Sequence, residues 1–566
     1  MLTTVPDTFW QSVTTDPAYC GHIEEVNWLY QNICAGDIAT LKYSDYKIFN
    51  GSGSRLEYEA PYFKRRGRLA TCAIMCLLYG DDVYLQNLQD TIWAICDECS
   101  WCAPAHDQLR GNSICFEPDY IDLFAAETGF ALSEIYNLLG GRLDAPVKLR
   151  LEQEVNRRIL EPFENKHYFW EDVEHNWAAV CAGSVGAAFM YMSPERFTKV
   201  QPRIDAAMQN FLAGYKSDGI CREGIGYWNY GFGFFIYYAD LLSAFSDGRE
   251  NYFADEKVRA IASFAQNVFL QGNTVVSFAD ADMTSGVLTG LMHYLKTRYP
   301  GDVSIISQGY PCSYKNGRGD KCYRWASLFR NFIWYNPKHA EREPLKQGTF
   351  SFADSAWYVS RRADYAFAAK AGDNEEPHNH NDIGTFIITR DAAQVICDLG
   401  AGEYTRQYFE EGVRETFLCV SSRGHNVPIV GGQFQKRGPE YTGTVTHSDE
   451  NAFAVEMQGA YGIEELTKLS RSFRLEDNRI FLTDMFEFSA APLDVTERFV
   501  TLYQPVAAVG SIKVGSVTIE YDENACVLAV TTEDYVDHGR IPQTAYCIDF
   551  AVKDTSVPFE ICFNII

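Results

Sequence analysis

The spacing of apolar residues changes once along this 566-residue chain, and that change most constrains its fold. Up to about residue 340, apolar residues recur every three or four positions, as in 122–141 and 232–245, with Gly, Pro or Asp in the gaps. This spacing places apolar side chains on one face of a helix. Many such helices in series predict helical hairpins packed in a ring or solenoid.

After about residue 345 the period becomes two, as expected for strands with one buried face. Segments such as 479–488 and 516–532 are separated by turn signals rather than by helices. This pattern predicts an antiparallel sandwich. We therefore expect two domains, 1–340 and 345–566, with the boundary inside the polar, proline-containing segment 336–348.

The net charge of −26 argues against nucleic acid and anionic membranes as partners. The same field repels an acidic polysaccharide, so an anionic substrate would need a local basic lining. The sequence contains no run of about 18 strongly apolar residues, so no membrane-spanning helix is predicted. The first residues lack the basic and apolar regions of a signal peptide, so we expect a cytoplasmic protein, or a secreted or periplasmic one if a leader has been lost.

The 17 cysteines lack the spacing of a disulfide framework, which favours reduced, buried thiols. Cys96, Cys99 and Cys102 form C-x2-C-x2-C, a spacing that also occurs in iron–sulfur and zinc sites. The segment has a helical pattern and no tight fourth ligand follows, which disfavours a metal site there.

The most specific motif is EEPHNHNDIGTF at 375–386. On an extended segment His378 and His380 would point the same way, and Pro377 disfavours a helix before them. Asp398 follows 18 residues after His380, where a hairpin could bring it back, and His425 comes later.

His380, Asp398 and His425 would make a two-nitrogen, one-oxygen zinc site, with His378 free for catalysis beside it. The alternative is a polar loop that caps the next strand, with Asp398 in a turn and His425 as a hydrogen-bond donor.

Two further motifs lie in the helical half. His175 and Asn176 begin an apolar helix, whose N-terminal N–H groups suit a substrate carboxylate, although Asn176 could be an ordinary N-cap. The segment 218–234 is dense in Gly and aromatic residues, and its rings could stack on sugars. It lacks phosphate-loop spacing, and an interhelical loop without chemistry is the alternative. Its candidate residues are Glu223, Tyr227, Trp228 and Tyr230.

Weaker candidates for substrate contact are Trp101, His106 and Asn112, which could line a cleft or have structural roles. Arg414 and Arg423 lie near the histidine motif and could bind a carboxylate or sulfate bidentately. Surface salt bridges are the alternative for both.

The three motifs, in this order and on these two architectures, resemble the heparinase II/III-like polysaccharide lyases, from about residue 60 to about residue 435. The resemblance implies a multidomain α+β fold: an incomplete (α/α) toroid followed by an antiparallel β-sandwich, with the cleft between them. It also implies β-elimination on a uronate-containing oligo- or polysaccharide to give 4,5-unsaturated uronates. Heparin, heparan sulfate, chondroitin, hyaluronan and alginate are the substrate classes it suggests.

The resemblance also assigns roles. Tyr227 matches the catalytic tyrosine, with Tyr230 as a near competitor, and His378 matches the catalytic histidine. His175 and Asn176 match the pair that handles the substrate carboxylate. The ligands of a structural or tuning Zn²⁺ match His380, Asp398 and His425.

Either Tyr227 serves as both base and acid, or His378 is the base and Tyr227 the acid. We expect a nearby positive charge to lower the pKa of Tyr227. Two other functions remain open: a toroid glycoside hydrolase using Glu223 and Asp218, and a non-catalytic sugar-binding relative. A homo-oligomer is compatible with the sequence.

Overall fold

The computed structural model describes residues 5–107, 116–306, 312–317, 319–339 and 343–565. Helices occupy the first part of the chain and antiparallel sheets the second, as predicted. The last helical turn ends at His339 and the first strand begins at Gly348. Among the described residues, no helix is both long and apolar enough to cross a membrane.

The helices pack as a layered array around α11, which lies against α8, α12 and α14. Small residues make this packing possible, because a Cβ on Gly186 would come within 2.7 Å of the Tyr238 ring. The helices are α1 (Asp7–Thr15), α2 (Cys20–Ile33), α3 (Tyr43–Tyr46), α4 (Ile48–Ser52), α5 (Leu56–Tyr79), α6 (Asp82–Cys96), α7 (Pro104–Asp107), α8 (Leu123–Leu139), α9 (Ala145–Val155), α10 (Glu161–Asn165), α11 (Asn176–Met192), α12 (Pro194–Ala213), α13 (Ile225–Tyr227), α14 (Gly233–Phe245), α15 (Glu256–Ala262), α16 (Phe264–Val268), α17 (Thr289–Arg298) and α18 (Trp325–Ile333).

The strands form stacked antiparallel sheets. Their order is β1-β2-β3-β5-β6 in the first sheet, β13-β14-β15-β18-β11-β10-β9-β8-β4 in the second and β16-β17-β12-β7 in the third. The strands are β1 (Gly348–Phe352), β2 (Trp357–Arg361), β3 (Tyr365–Lys370), β4 (Gly372–Asn374), β5 (Phe386–Arg390), β6 (Ala393–Ile396), β7 (Ile429–Val430), β8 (Gly438–Ser448), β9 (Ala452–Glu456), β10 (Leu466–Leu475), β11 (Arg479–Phe488), β12 (Val495–Thr501), β13 (Val506–Ala508), β14 (Ser511–Val514), β15 (Val517–Tyr521), β16 (Cys526–Val536), β17 (Pro542–Val552) and β18 (Phe559–Ile565).

The first sheet differs from the predicted strands with one buried face, because its inner strands β2, β3 and β5 are buried on both faces, while the edge strand β1 is partly exposed. Trp357, Val359 and Ala366 belong to the core of the helical domain. Tyr358 and Phe367, on the opposite face, pack within the sandwich. This sheet therefore joins the domains over a broad apolar surface, and the segment between β4 and β5, which carries the histidine motif, opens at their junction.

Candidate active site

A cleft of about 1000 Å³ lies between the helical domain and the sandwich. The helical domain contributes one face of α5, the start of α11 and the segment around α13, and the sandwich contributes residues 378, 403, 404, 409 and 538–540. Of the predicted site residues, His106, Asn176, Tyr227, Tyr230 and His378 line this cleft.

His378 adopts an unusual backbone conformation at the head of the histidine motif. Its φ is 57°, in the left-handed region that non-glycine residues adopt mainly where the surroundings enforce it. Its Nδ1 lies 2.6 Å from Asp280 Oδ2, and its Nε2 lies 3.6 Å from Glu223 Oε2. If Asp280 accepts the Nδ1 proton, Nε2 is left without one and can accept a proton.

Asp280 is the central group of the site and is absent from the sequence predictions. Its carboxylate also lies 2.9 Å from His380 Nε2, accepts from Arg414 Nη2 at 3.1 Å and accepts from the Tyr408 hydroxyl. Burial alone would raise the pKa of Asp280, but Arg414, His378 and His380 outweigh it and hold that pKa well below its usual range. The ionised carboxylate thus fixes both histidines of the motif.

Tyr227 stands next to His378. Its hydroxyl lies 2.8 Å from that of Tyr404 and 3.5 Å from His378 Nδ1. Burial, and then the nearby Asp280 and Glu223, raise the pKa of Tyr227 well above 10, with Arg414 opposing only in part. The expectation of a lowered pKa was therefore wrong, because carboxylates and burial outweigh the positive charge. Tyr227 therefore keeps its hydroxyl proton near neutral pH.

Tyr230 also lines the cleft, but its hydroxyl donates to Glu127 rather than approaching His378. Its ring lies beneath Arg324, 3.9 Å from the guanidinium carbon. Of the two tyrosines, geometry thus brings Tyr227 to the histidine.

Asn176 is the first residue of α11 and lines the cleft, whereas His175 lies outside the cleft lining, beside Pro377 and Glu223. Burial lowers the pKa of His175 to about 4, so its ring is neutral at neutral pH. His106 lines the cleft, with Nδ1 held 2.7 Å from Asp122 Oδ2.

The predicted metal ligands come together. One ligand atom from each of His380, Asp398 and His425 lies within 4.8 Å of the others, and all three residues are buried. His380 Nδ1 is buried without a hydrogen-bond partner, while its Nε2 contacts Asp280. A ring nitrogen free to ligate, with the other held by a carboxylate, is the usual arrangement of a metal-binding histidine. His425 Nε2 contacts the Cys419 carbonyl at 2.9 Å, which leaves Nδ1 facing Asp398. The donor set fits a zinc ion.

The structure does not place several of the predicted substrate contacts at the cleft. Trp101 and Trp228 are fully buried, and their indole N–H groups donate to the carbonyls of Ile95 and Ile261, so neither ring can stack on a sugar.

Neither arginine near the motif faces the cleft. Arg414 supports Asp280, and Arg423 lies near Glu533 at 3.6 Å on the sandwich. Glu223 is buried beside His378, with Oε2 3.6 Å from His378 Nε2, and does not line the cleft. Asn112 lies outside the described residues.

The cysteine motif gives no sign of a metal site. Cys96 and Cys102 are buried and Cys99 is exposed. Within the described ranges, the histidine and aspartate group above is the one cluster with metal-ligand geometry.

The lining of the cleft is nearly neutral in a strongly acidic protein. Its described carboxylates and cations give a formal charge of +1, from five cations minus four carboxylates, against −26 for the whole chain. The cations are Arg55, Lys64, Lys321, Arg324 and Arg540, and the carboxylates are Glu59, Asp280, Asp282 and Glu403. The expected basic lining is thus present only as a slight excess of positive over negative side chains.

Comparison with known proteins supports the architecture. Residues 344–534 match the family model "Heparinase II/III-like, C-terminal". No curated protein sequence matches the chain.

Solved structures share the fold over almost the whole chain. A heparinase III structure superposes with a TM-score of 0.64 at 14% identity, covering 99% of this chain and 92% of that one. The heparan sulfate lyase of Pedobacter heparinus gives 0.56 at 12% identity, covering 97% and 83%. The chondroitin AC lyase of Streptomyces coelicolor gives 0.56 at 10% identity, covering 99% and 82%. The predicted toroid-plus-sandwich fold and the resemblance to heparinase II/III-like polysaccharide lyases are confirmed.

Proposed function

We propose that this protein is a polysaccharide lyase that cleaves uronate-containing glycans by β-elimination. One observation carries the proposal: Tyr227 and His378 meet in a cleft between toroid and sandwich, with Asn176 on the same wall. The family match and the lyases among the structural neighbours support the same reaction class.

The reaction removes the C5 proton of a uronate and breaks the C4–O bond to the leaving sugar. The C5 proton is weakly acidic, so the adjacent carboxylate must be stabilised as negative charge builds up on it. The amide of Asn176 would donate to that carboxylate. His175 is neutral and does not line the cleft, so no direct contact with the substrate is assigned to it.

We assign the base to His378 and the acid to Tyr227. His378 Nε2 would take the C5 proton, because Asp280 holds the other nitrogen. The C5–H electron pair then forms the C4–C5 double bond as the C4–O bond breaks. Tyr227, neutral because of its raised pKa, would protonate the departing oxygen, and its phenolate would regain a proton as His378 releases the one taken from C5, which restores both groups. A tyrosine that acted as base would have to ionise beside Asp280 and Glu223 before His378 has taken up a proton, which disfavours the alternative of Tyr227 in both roles. As the acid, Tyr227 ionises only after His378 has gained a positive charge.

We further propose that the three-residue site binds Zn²⁺ through His380, Asp398 and His425. A bound zinc ion would supply rigidity and charge rather than a nucleophile, since the site is buried and lies outside the cleft lining. Asp280 would transmit that rigidity, because it touches both His380 and His378.

The hydrolase alternative lacks its carboxyl pair. Asp218 is engaged with the backbone N–H and hydroxyl of Ser355, at 2.8 and 2.7 Å, and Glu223 is buried beside His378.

Digestion of heparan sulfate, chondroitin, hyaluronan and alginate, followed by absorbance in the unsaturated-uronate band, tests the proposal. A rise with one polymer supports lyase activity and names the substrate. Binding without any rise would favour a sugar-binding protein.

A further inference from the structure

The two domains touch across one end of the cleft through Arg540, on the turn between β16 and β17. Its Nε donates to Glu403 Oε1 at 2.6 Å within the sandwich. Its Nη2 donates to Ser54 Oγ at 2.8 Å, and Nη1 to Glu57 Oε1 at 3.4 Å, at the start of α5. One guanidinium thus links both walls.

A second contact lies beside the first. Arg406 N donates to the Gly53 carbonyl, and Nη1 to the Asn50 carbonyl, both at 3.2 Å. Gly53 has a φ of 80°, and a Cβ there would come within 2.7 Å of Gln407 Oε1. The backbones therefore meet directly. We call residues 50–57, 403–407 and 537–541 together the domain bridge.

One residue of the domain bridge, Tyr404, contacts the hydroxyl of Tyr227 directly. Glu403 precedes Tyr404, whose hydroxyl is 2.8 Å from that of Tyr227. The His538 ring packs edge-on against the Tyr404 ring, with centroids 4.4 Å apart. A glycan bound at Tyr227 would therefore contact the domain bridge directly.

In the other direction the cleft continues. The face of α5 from Arg55 to Lys64 lines it, and nine residues of helix span about 13 Å. The far end carries the exposed side chains of Lys64 and Lys321, for which the described residues offer no ion-pair partner. These cations suit the carboxylates of further sugar units.

We infer that the domain bridge makes the enzyme exolytic, so that it removes a short unsaturated unit from one end of a glycan. This inference rests on the proposed lyase function. A polymer that continued on both sides of the scissile bond would have to pass through the contact between Arg540 and Glu57, whereas a chain end needs only the open side. The bridge residues are thus specificity determinants rather than catalytic residues.

The test uses the full chain and whichever of the four polymers yields unsaturated product, with product lengths resolved by size-exclusion chromatography. For the wild type we expect a single short unsaturated product from the earliest time point, while the remaining polymer keeps its length. Arg540→Ala removes the guanidinium that links both walls, and Glu57→Ala removes one of its two partners on the helical side. Each variant should open this end of the cleft and shift the products to a mixture of lengths. Arg423→Ala is the matched control on the sandwich, outside the cleft, and should keep the wild-type pattern.

Intermediate lengths from wild type at the start, or unchanged products from both bridge variants, would overturn the inference while leaving the lyase function intact. Wild-type digestion alone decides it if a variant does not fold. Absence of unsaturated product from every polymer would reject the proposed function and this inference with it.

Discussion

Replacing Tyr227 by Phe removes one hydroxyl from the centre of the proposed reaction. That hydroxyl contacts Tyr404 at 2.8 Å and lies 3.5 Å from His378 Nδ1, and the ring itself keeps its packing against His378, with centroids 4.5 Å apart. The cost to folding is one hydrogen bond, roughly 0.5–1.5 kcal/mol. The variant should therefore fold and bind substrate.

The cost to turnover is much larger, because the substrate oxygen loses its proton donor. General acid catalysis contributes about 10²–10⁴-fold, or roughly 3–5 kcal/mol on the barrier. The fall should appear in kcat, with KM changed little, since the ring still shapes the cleft.

Tyr230→Phe is the matched control, because it makes the same change in the same helical segment. Its hydroxyl is committed to Glu127 and does not contact His378, so kcat should fall by less than about tenfold, or 1.4 kcal/mol. Initial rates of unsaturated product and thermal melting would be measured for both variants. Near-wild-type kcat in Tyr227→Phe, or a larger loss in Tyr230→Phe, would refute the assignment.

Three further outcomes are expected. Metal analysis should find about one zinc per chain, lost in His425→Ala, and saturation at about 1,000 times Kd should add about 4 kcal/mol of stability; unchanged melting after chelation would contradict this. Asp280→Asn should lower kcat or zinc affinity about 10–100-fold, because an amide cannot accept from both His378 and His380; unaltered kinetics and zinc content would exclude that role. Burial lowers the pKa of His22 from 6.5 to about 4, so the unfolded chain binds a proton that the folded protein does not, and stability should fall as pH drops through that interval and level off below it. His22→Gln should flatten that part of the stability curve, and an identical curve would count against the shift.

The fold could be predicted from the sequence because the spacing of apolar residues changes once, near residue 340, from a helical to a strand period. The cluster of candidate metal ligands could also be predicted, since His380, Asp398 and His425 lie within 46 positions of one another on consecutive segments. Asp280 is different: it lies about 100 residues before His378, in a loop without a pattern, and only the fold brings it to the motif.

The aromatic residues show a second limit of prediction from the sequence alone. Trp228 and Tyr227 are adjacent in a Gly-rich segment, yet one indole is buried in the helical core and the other ring lines the cleft. A short helical turn at 225–227 continuing into 228–232 sends neighbouring side chains to different sides. The direction of the pKa shift of Tyr227 could also not be predicted from the sequence, because it depends on burial and on the carboxylates that the fold brings to the tyrosine.

The chemistry is tested most directly by mass spectrometry of products formed in ¹⁸O-labelled water. Elimination breaks the C4–O bond without adding water, so we predict products without label, the unsaturated fragment being lighter by one water than its saturated counterpart. Hydrolysis would add one labelled oxygen to a product and leave no double bond. Labelled, saturated products would contradict the lyase account and return the protein to the glycoside hydrolases.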